Sequence, residues 1–389
     1  MFRRIVWVSI PATLGLAAAT AYKMQQNAEA HDWKSLVSPG KMYQLNRTTH
    51  IHAVVRGHGS PVVVLEASTA GLTQDYSQVI DAIAKFTTVV AYDRAGLGFS
   101  SNCDAATLPQ PRSAEQLSKE FSQLLESIPE LDTRMGVIVV GHGHGAAITI
   151  EAARNRRVPN LAGVVLLDPV CGVQAKHRGV SSDISEAIEG MQSGTKTLAQ
   201  LSMFGIARIF MSLPNSIQNL SNLYQPKDCI VVQALSSRST HRHTVCSEVT
   251  CYADDDNALE TLIQSGSLLV GEDVPVLVVG HGNASMFTDL ASVGDGDKQE
   301  RLERLEKIWS GGQQDLTRAL SNTAMYVRAA NTEHSMPQKN VDLTVEAVRA
   351  VFNAAGGGGT SKSGKDRVLA EFKQKHHTNK VRGVRVRGL

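Results

Sequence analysis

Residues Val137 to Gly145, VIVVGHGHG, have the form of a turn built to expose a nucleophile, with glycine standing where the nucleophile would be. The apolar run predicts a buried strand, and the small residues after it allow the tight strand-to-helix turn of the pattern G-x-S-x-G. Gly141 and Gly145 take the outer places and Gly143 takes the serine's. Glycine has no side chain with which to attack a carbonyl, so no acyl-enzyme forms there. In a well-studied serine protease, removing that hydroxyl costs about 10⁶ in kcat and leaves roughly 10³ to 10⁴ over water.

The neighbouring residues offer no obvious replacement. His144 lies one place further along, so its side chain is expected to point away from the pocket centre, and His142 reads as packing. Cys103 and Cys171 are loop thiols. His142, His144, His281 and His334 form a weak metal set, because a spacing of two does not bring a pair onto one ion easily. Neither a metal nor a cofactor is predicted. The five cysteines are odd in number, follow no metal spacing and define no disulfide framework. In a luminal setting Cys229, Cys246 and Cys251 would supply one bridge, and Asn46, Asn219 and Asn283 would become glycosylation acceptors.

The elements that must hold the turn fit a globular chain. Hydrophobic residues make up 42% and charged residues 20% of 389, enough for a full core. The net charge of +2 is unevenly placed: residues 356 to 389 carry nine Lys or Arg against Asp366 and Glu371, which leaves the remainder acidic. That segment begins with four glycines and reads as a flexible basic tail suited to anionic surfaces; no specific nucleic acid is implied. At the other end, Arg3 and Arg4 precede an apolar stretch from Ile5 to Tyr22. About 18 residues at 1.5 Å each reach roughly 27 Å, the thickness of a thin bilayer. Residues 1 to 30 are therefore expected to be a membrane anchor, with a cleaved signal peptide ending near Ala21 and a mitochondrial presequence as alternatives. A membrane-associated protein follows, with secretory pathway and mitochondrion both open.

From residue 51 onward apolar strands alternate with amphipathic stretches, the pattern of a mostly parallel sheet flanked by helices. Strands are expected at His52 to Arg56, Pro61 to Glu66, Thr88 to Tyr92, Val137 to Val140, Gly163 to Leu167, Val274 to Val279 and Ala324 to Arg328. Ser113 and Gln116 form a capping box that starts a helix, and Val341 to Asn353 closes the domain. Between about 172 and 260 the strand rhythm fails and helical patches take over, which predicts a lid insertion.

In this order the motifs resemble the α/β-hydrolase superfamily over residues 50 to 354. VVVLEASTAGLTQDY at Val62 to Tyr76 is similar to the oxyanion-loop signature VVLEAGLGGSSLDW of a lipase- and esterase-like branch. FTTVVAYDRAGLGFS at Phe86 to Ser100, VVLLDP and NTEHSMP then follow in the expected sequence. The resemblance implies His334 as general base and the backbone amides of Thr69 and His144 as oxyanion donors. For the acid, Asn283 occupies the usual place without a charge; Asp168 resembles the alternative position of some lipases, and Asp289 is a further candidate. Asp93 and Arg94 read as residues that hold their own turn.

The function expected on this reading is that of a catalytically impaired pseudoenzyme that keeps the pocket for ligand binding or scaffolding. The alternative is an active carboxylic-ester or lipid hydrolase in which His334 acts on water or on an unconventional nucleophile. A small ester or lipid-like molecule is the ligand in both.

Overall fold

Val62–Glu66 and Val137–His142 are buried at every position, as strands covered on both faces must be. They form the centre of a single sheet made of β1 (Lys41–Gln44), β2 (His50–Arg56), β3 (Val62–Glu66), β4 (Val89–Tyr92), β5 (Val137–His142), β6 (Leu161–Leu167), β7 (Val276–Gly280) and β8 (Ala324–Arg328). The spatial order is β1-β2-β4-β3-β5-β6-β7-β8. β2 pairs antiparallel with both β1 and β4, and every pairing from β4 to β8 is parallel. The computed structural model describes residues 2–100, 107–170, 181–284, 297–356 and 362–381. Cys103, Cys171 and Asp289 lie outside the described residues.

The helices are α1 (Phe2–Ser35), α2 (Ser77–Ile83), α3 (Ala114–Ser127), α4 (Gly145–Arg154), α5 (Ser181–Ser202), α6 (Ile206–Met211), α7 (Pro214–Leu223), α8 (Pro226–Ser236), α9 (Ser239–Thr250), α10 (Tyr252–Gln264), α11 (Lys298–Leu320), α12 (Met336–Lys339), α13 (Val341–Gly356) and α14 (Lys362–His376). Side chains that alternate along the strands divide the core between two faces. Val62, Val64, Val137 and Val139 pack with Phe121 and Leu124 of α3, Ile150 of α4 and Leu316 of α11. Val63, Leu65, Ile138 and Val140 pack with Val79 and Ile83 of α2, Val348 and Val351 of α13 and Leu369 of α14. This is the α/β-hydrolase fold, a mostly parallel sheet flanked by helices. Helices α5 to α10 occupy the chain between β6 and β7.

The expectation of a membrane anchor is overturned. Among the described residues no helix is long and apolar enough to cross a membrane. The apolar stretch is interrupted by Ser9, Pro11, Thr13 and Gly15, and its second half relies on the weakly apolar alanine. Its helix also runs on into polar residues that dock against α6, α8 and α9. Gln25 is buried and donates to Ser237 O at 3.1 Å, Arg208 Nη2 meets Asp32 at 2.6 Å, and Glu29 accepts from Ser239 N at 2.9 Å. Among the described residues Cys229, Cys246 and Cys251 are free thiols and do not bridge one another.

The chain beyond 356 also differs from its composition-based reading. Within the expected tail, α14 buries Leu369 and Phe372 beside α13 and β8. Thr378 N then donates to Arg328 O at 2.9 Å, and Ala329 forms a bridge with His377. Average charge conceals a short apolar stripe, Val368, Leu369 and Phe372, spaced to face one way on a helix. Lys375 and His376 both meet Glu346 of α13, at 2.7 and 2.8 Å.

Candidate active site

The turn after β5 is shaped by close approach of backbone. A Cβ at Gly145 would lie 2.5 Å from Ala67 O and 2.8 Å from Glu66 O, so only glycine lets α4 begin this near the end of β3. Gly143 has φ +55°, the left-handed conformation of a sharp elbow. Its N–H donates to Leu167 O at 3.0 Å and its carbonyl accepts from Val170 N at 3.2 Å, which ties the elbow to the end of β6.

Directly after β6, Asp168 is fully buried with φ +44°, a strained conformation for a residue with a side chain. Its carboxylate accepts from Trp309 Nε1 at 3.0 Å and Gln313 Nε2 at 2.8 Å, both on α11. His334, in the loop after β8, places Nδ1 2.8 Å from Asp168 Oδ2, and 26% of its side chain is exposed. The backbone carbonyl of His334 accepts from His142 Nε2 at 2.7 Å. Burial first, and then the nearby His334, push the His142 pKa down to about 3, so His142 is a neutral strut.

A second imidazole is bound to the same carboxylate. His281, just past β7, lies with Nδ1 2.9 Å from both oxygens of Asp168 and Nε2 2.9 Å from Glu306 of α11. Burial opposes charge on this ring, yet the two carboxylates outweigh it and raise its pKa to about 10. Burial likewise opposes ionisation of Asp168, but the charges and hydrogen bonds of His281 and His334 hold it well below the usual carboxylate range. Glu306 is in turn 3.4 Å from Arg328. The result is a buried ionic chain beneath His334.

Of the two expected oxyanion residues, Thr69 lies in the turn after β3 and His144 in the turn after β5. Thr69 Oγ1 is bonded to Tyr252 Oη, and the His144 ring stacks on Tyr252 at 4.2 Å with Nε2 3.2 Å from Asp255. His144 is thereby directed into α10. Arg94 does more than hold its own turn. Buried, it pairs with Glu66 at 2.7 Å and with Glu248 of α9 at 2.8 Å, and it donates to Ala67 O and Ser68 O. Asp93 holds its own turn through Phe99 N at 3.0 Å and also reaches outside it, to Thr73 N at 2.7 Å and His52 Nδ1 at 2.9 Å.

Ser68 is the residue that sequence reasoning missed. A Cβ built on Gly143 would collide with Ser68 Oγ and would lie 2.9 Å from Ser68 Cβ and 3.2 Å from His334 Cε1. The space left by the missing side chain at 143 is therefore filled by the hydroxyl of Ser68. A signal existed: the signature VVLEAGLGGSSLDW carries glycine where this chain carries Ser68, the reverse of the exchange at Gly143. Glu306, Trp309 and Gln313 were also missed, although spacings of three and four put them on one face of a helix. Asn283 is 3.5 Å from Glu333 Oε1.

The family described as Serine aminopeptidase, S33 matches residues 61–219, a segment that contains the elbow. The protein YqjL of Bacillus subtilis is 30% identical over 118 residues, which cover 30% of this chain and 43% of the relative. An AB hydrolase superfamily protein of Gibberella zeae is 28% identical over 139 residues, 35% of this chain and 41% of the relative. The matched stretch thus spans about two-fifths of the length of either curated relative. Among solved structures, epoxide hydrolase CorEH superposes with TM-score 0.54 at 18% identity, covering 80% of this chain and 98% of that one. A bromoperoxidase from Bacillus anthracis gives 0.52 at 17% identity, with 81% and 99% covered. A thermophilic esterase from Thermogutta terrifontis gives 0.51 at 14%, with 82% and 99% covered. The fold of the solved structures and, over part of the chain, the sequences of the matched proteins are thus what this chain is similar to.

Proposed function

We propose that this chain hydrolyses small carboxylic esters or lipid-like esters, with His334 as general base and Asp168 as the acid that orients it. The observation that carries the reading is the 2.8 Å contact between His334 Nδ1 and Asp168 Oδ2, made at the edge of a buried network while the imidazole keeps access to solvent. Asp168 holds the Nδ1 proton, which leaves Nε2 as the basic nitrogen. That nitrogen removes a proton from the attacking oxygen as it bonds to the carbonyl carbon. The carbonyl oxygen, now negative, is received by the amides of Thr69 and His144, and the departing alkoxide takes the proton back from Nε2. Helices α5 to α10 act as the lid, since Tyr252, Asp255 and Glu248 reach the residues around this site.

The test is turnover of p-nitrophenyl esters across pH. General-base help contributes typically about 10² to 10⁴, and His334→Ala is expected to remove it and flatten the profile. Background-level rates across a broad ester panel would defeat the proposal.

A second reading is favoured by glycine at 143: a pseudoenzyme that binds an ester or lipid-like ligand without converting it, for scaffolding or complex assembly. Saturable ligand binding with no turnover would select it.

A further inference from the structure

We infer that Ser68 is the nucleophile of this site, its hydroxyl delivered from the turn after β3 instead of from the elbow after β5. The inference deepens the reading of His334 as general base and rests on it.

The geometry supplies the first argument. One point, the place a Cβ on Gly143 would occupy, lies within contact distance of both the Ser68 hydroxyl and the His334 ring. The ring atom nearest that point is Cε1, at 3.2 Å, and Cε1 is bonded to both ring nitrogens. Nδ1 is taken by Asp168, while Nε2 makes no hydrogen bond among the described residues. The Ser68 hydroxyl makes none there either, and the residue is only half-buried. The Ser68 hydroxyl and the His334 ring, whose Nε2 has no partner among the described residues, converge on one small space.

Positioning supplies the second argument, because a nucleophile on a loose loop would spend its advantage on entropy. The backbone of Ser68 is not loose. Its carbonyl accepts from Gly71 N at 3.0 Å and from Arg94 Nη2 at 3.0 Å. Arg94 is itself fixed between two buried carboxylates, Glu66 and Glu248. A planar guanidinium held at several donors is a rigid support for the turn. The other hydroxyl nearby, that of Thr69, is already bonded to Tyr252.

The chemistry balances. Ser68 Oγ forms a bond to the ester carbonyl carbon as its proton passes to His334 Nε2, and the carbonyl π pair moves onto oxygen. The amides that follow Ser68 and Gly143, those of Thr69 and His144, are the donors this proposal assigns to that oxygen. Collapse breaks the bond to the alcohol, which leaves with the proton from Nε2, and an acyl-Ser68 ester remains. Water then attacks with the same imidazole as base; the carboxylic acid departs and the Ser68 proton is restored. Glycine at 143 has a role in this arrangement, because any Cβ there would displace Ser68 from its place.

The experiment treats the full chain with a fluorophosphonate probe, maps the modified peptide by mass spectrometry, and measures p-nitrophenyl butyrate turnover for the wild type, Ser68→Ala and His334→Ala. The expected result is probe mass on Ser68, lost in Ser68→Ala, with turnover falling by about 10³ to 10⁶ while the melting temperature is unchanged. Turnover that persists in Ser68→Ala but fails in His334→Ala would overturn Ser68 as nucleophile and leave the base in place. A wild-type chain with neither label nor turnover would overturn both.

Discussion

His281 and His334 share the carboxylate of Asp168, His281 at 2.9 Å from both oxygens and His334 at 2.8 Å from one. The deeper ring is charged, the outer one is open to solvent on 26% of its side chain, and the acid between them is fully buried. His281 offsets the cost of burying Asp168, so that a bare carboxylate can sit beneath the outer imidazole.

That arrangement gives the protein a two-sided pH dependence of stability. His281 has a folded pKa of about 10, above its usual value of 6.5, so its contribution is complete below pH 6.5 and is lost as pH rises toward 10. His142 is depressed to about 3; the unfolded chain takes up a proton there that the folded chain refuses, and stability is lost as pH falls from 6.5 toward 3. Melting temperature should peak near neutrality. His281→Gln should be less stable at pH 7 and should flatten the alkaline limb. A wild-type melting temperature that stays constant from pH 7 to about 10 would contradict the assignment of charge to His281.

Gly143→Ser should destabilise the protein. The residue would have to hold φ +55° and displace Ser68, at a cost of about 1 to 2 kcal/mol for the left-handed backbone alone. Ser68→Gly in the same chain should recover the steric share, giving a coupling of about 0.5 to 3 kcal/mol in a double-mutant cycle. Urea denaturation of the four proteins measures it. Strict additivity would mean that the two side chains do not compete for one space.

The docking of α14 is testable apart from the site. Leu369 is fully buried against the core face that includes Val351, so Leu369→Ala should cost about 2 to 5 kcal/mol. Gln374→Ala, at an exposed position of the same helix, should stay within about 0.5 kcal/mol. Equal urea midpoints for Leu369→Ala and the wild type would show that α14 does not bear on stability.

The order of elements was legible in the sequence because strand burial is a local property. Runs such as Val62 to Glu66 and Val137 to Val140 have few alternatives to a covered strand, and a glycine-rich turn after the second fixes where a helix can start. The absence of a hydroxyl at 143 was equally plain. Local signals also failed in a consistent way. An apolar run after two arginines suggested a membrane span, and a basic average concealed the apolar stripe of α14.

Tertiary structure alone decided which groups meet. Ser68 lies 75 positions before Gly143 in the chain, and Asp168 lies 166 positions before His334, so no local pattern links either pair. The parallel register of β3 with β5 and of β5 with β6 brings the turns after these strands to one end of the sheet, and the chain after β8 adds His334 there. The sequence determined that the elbow carries no nucleophile. The packing of adjacent strand ends, a matter of distances between remote segments, decided that an alcohol fills the space.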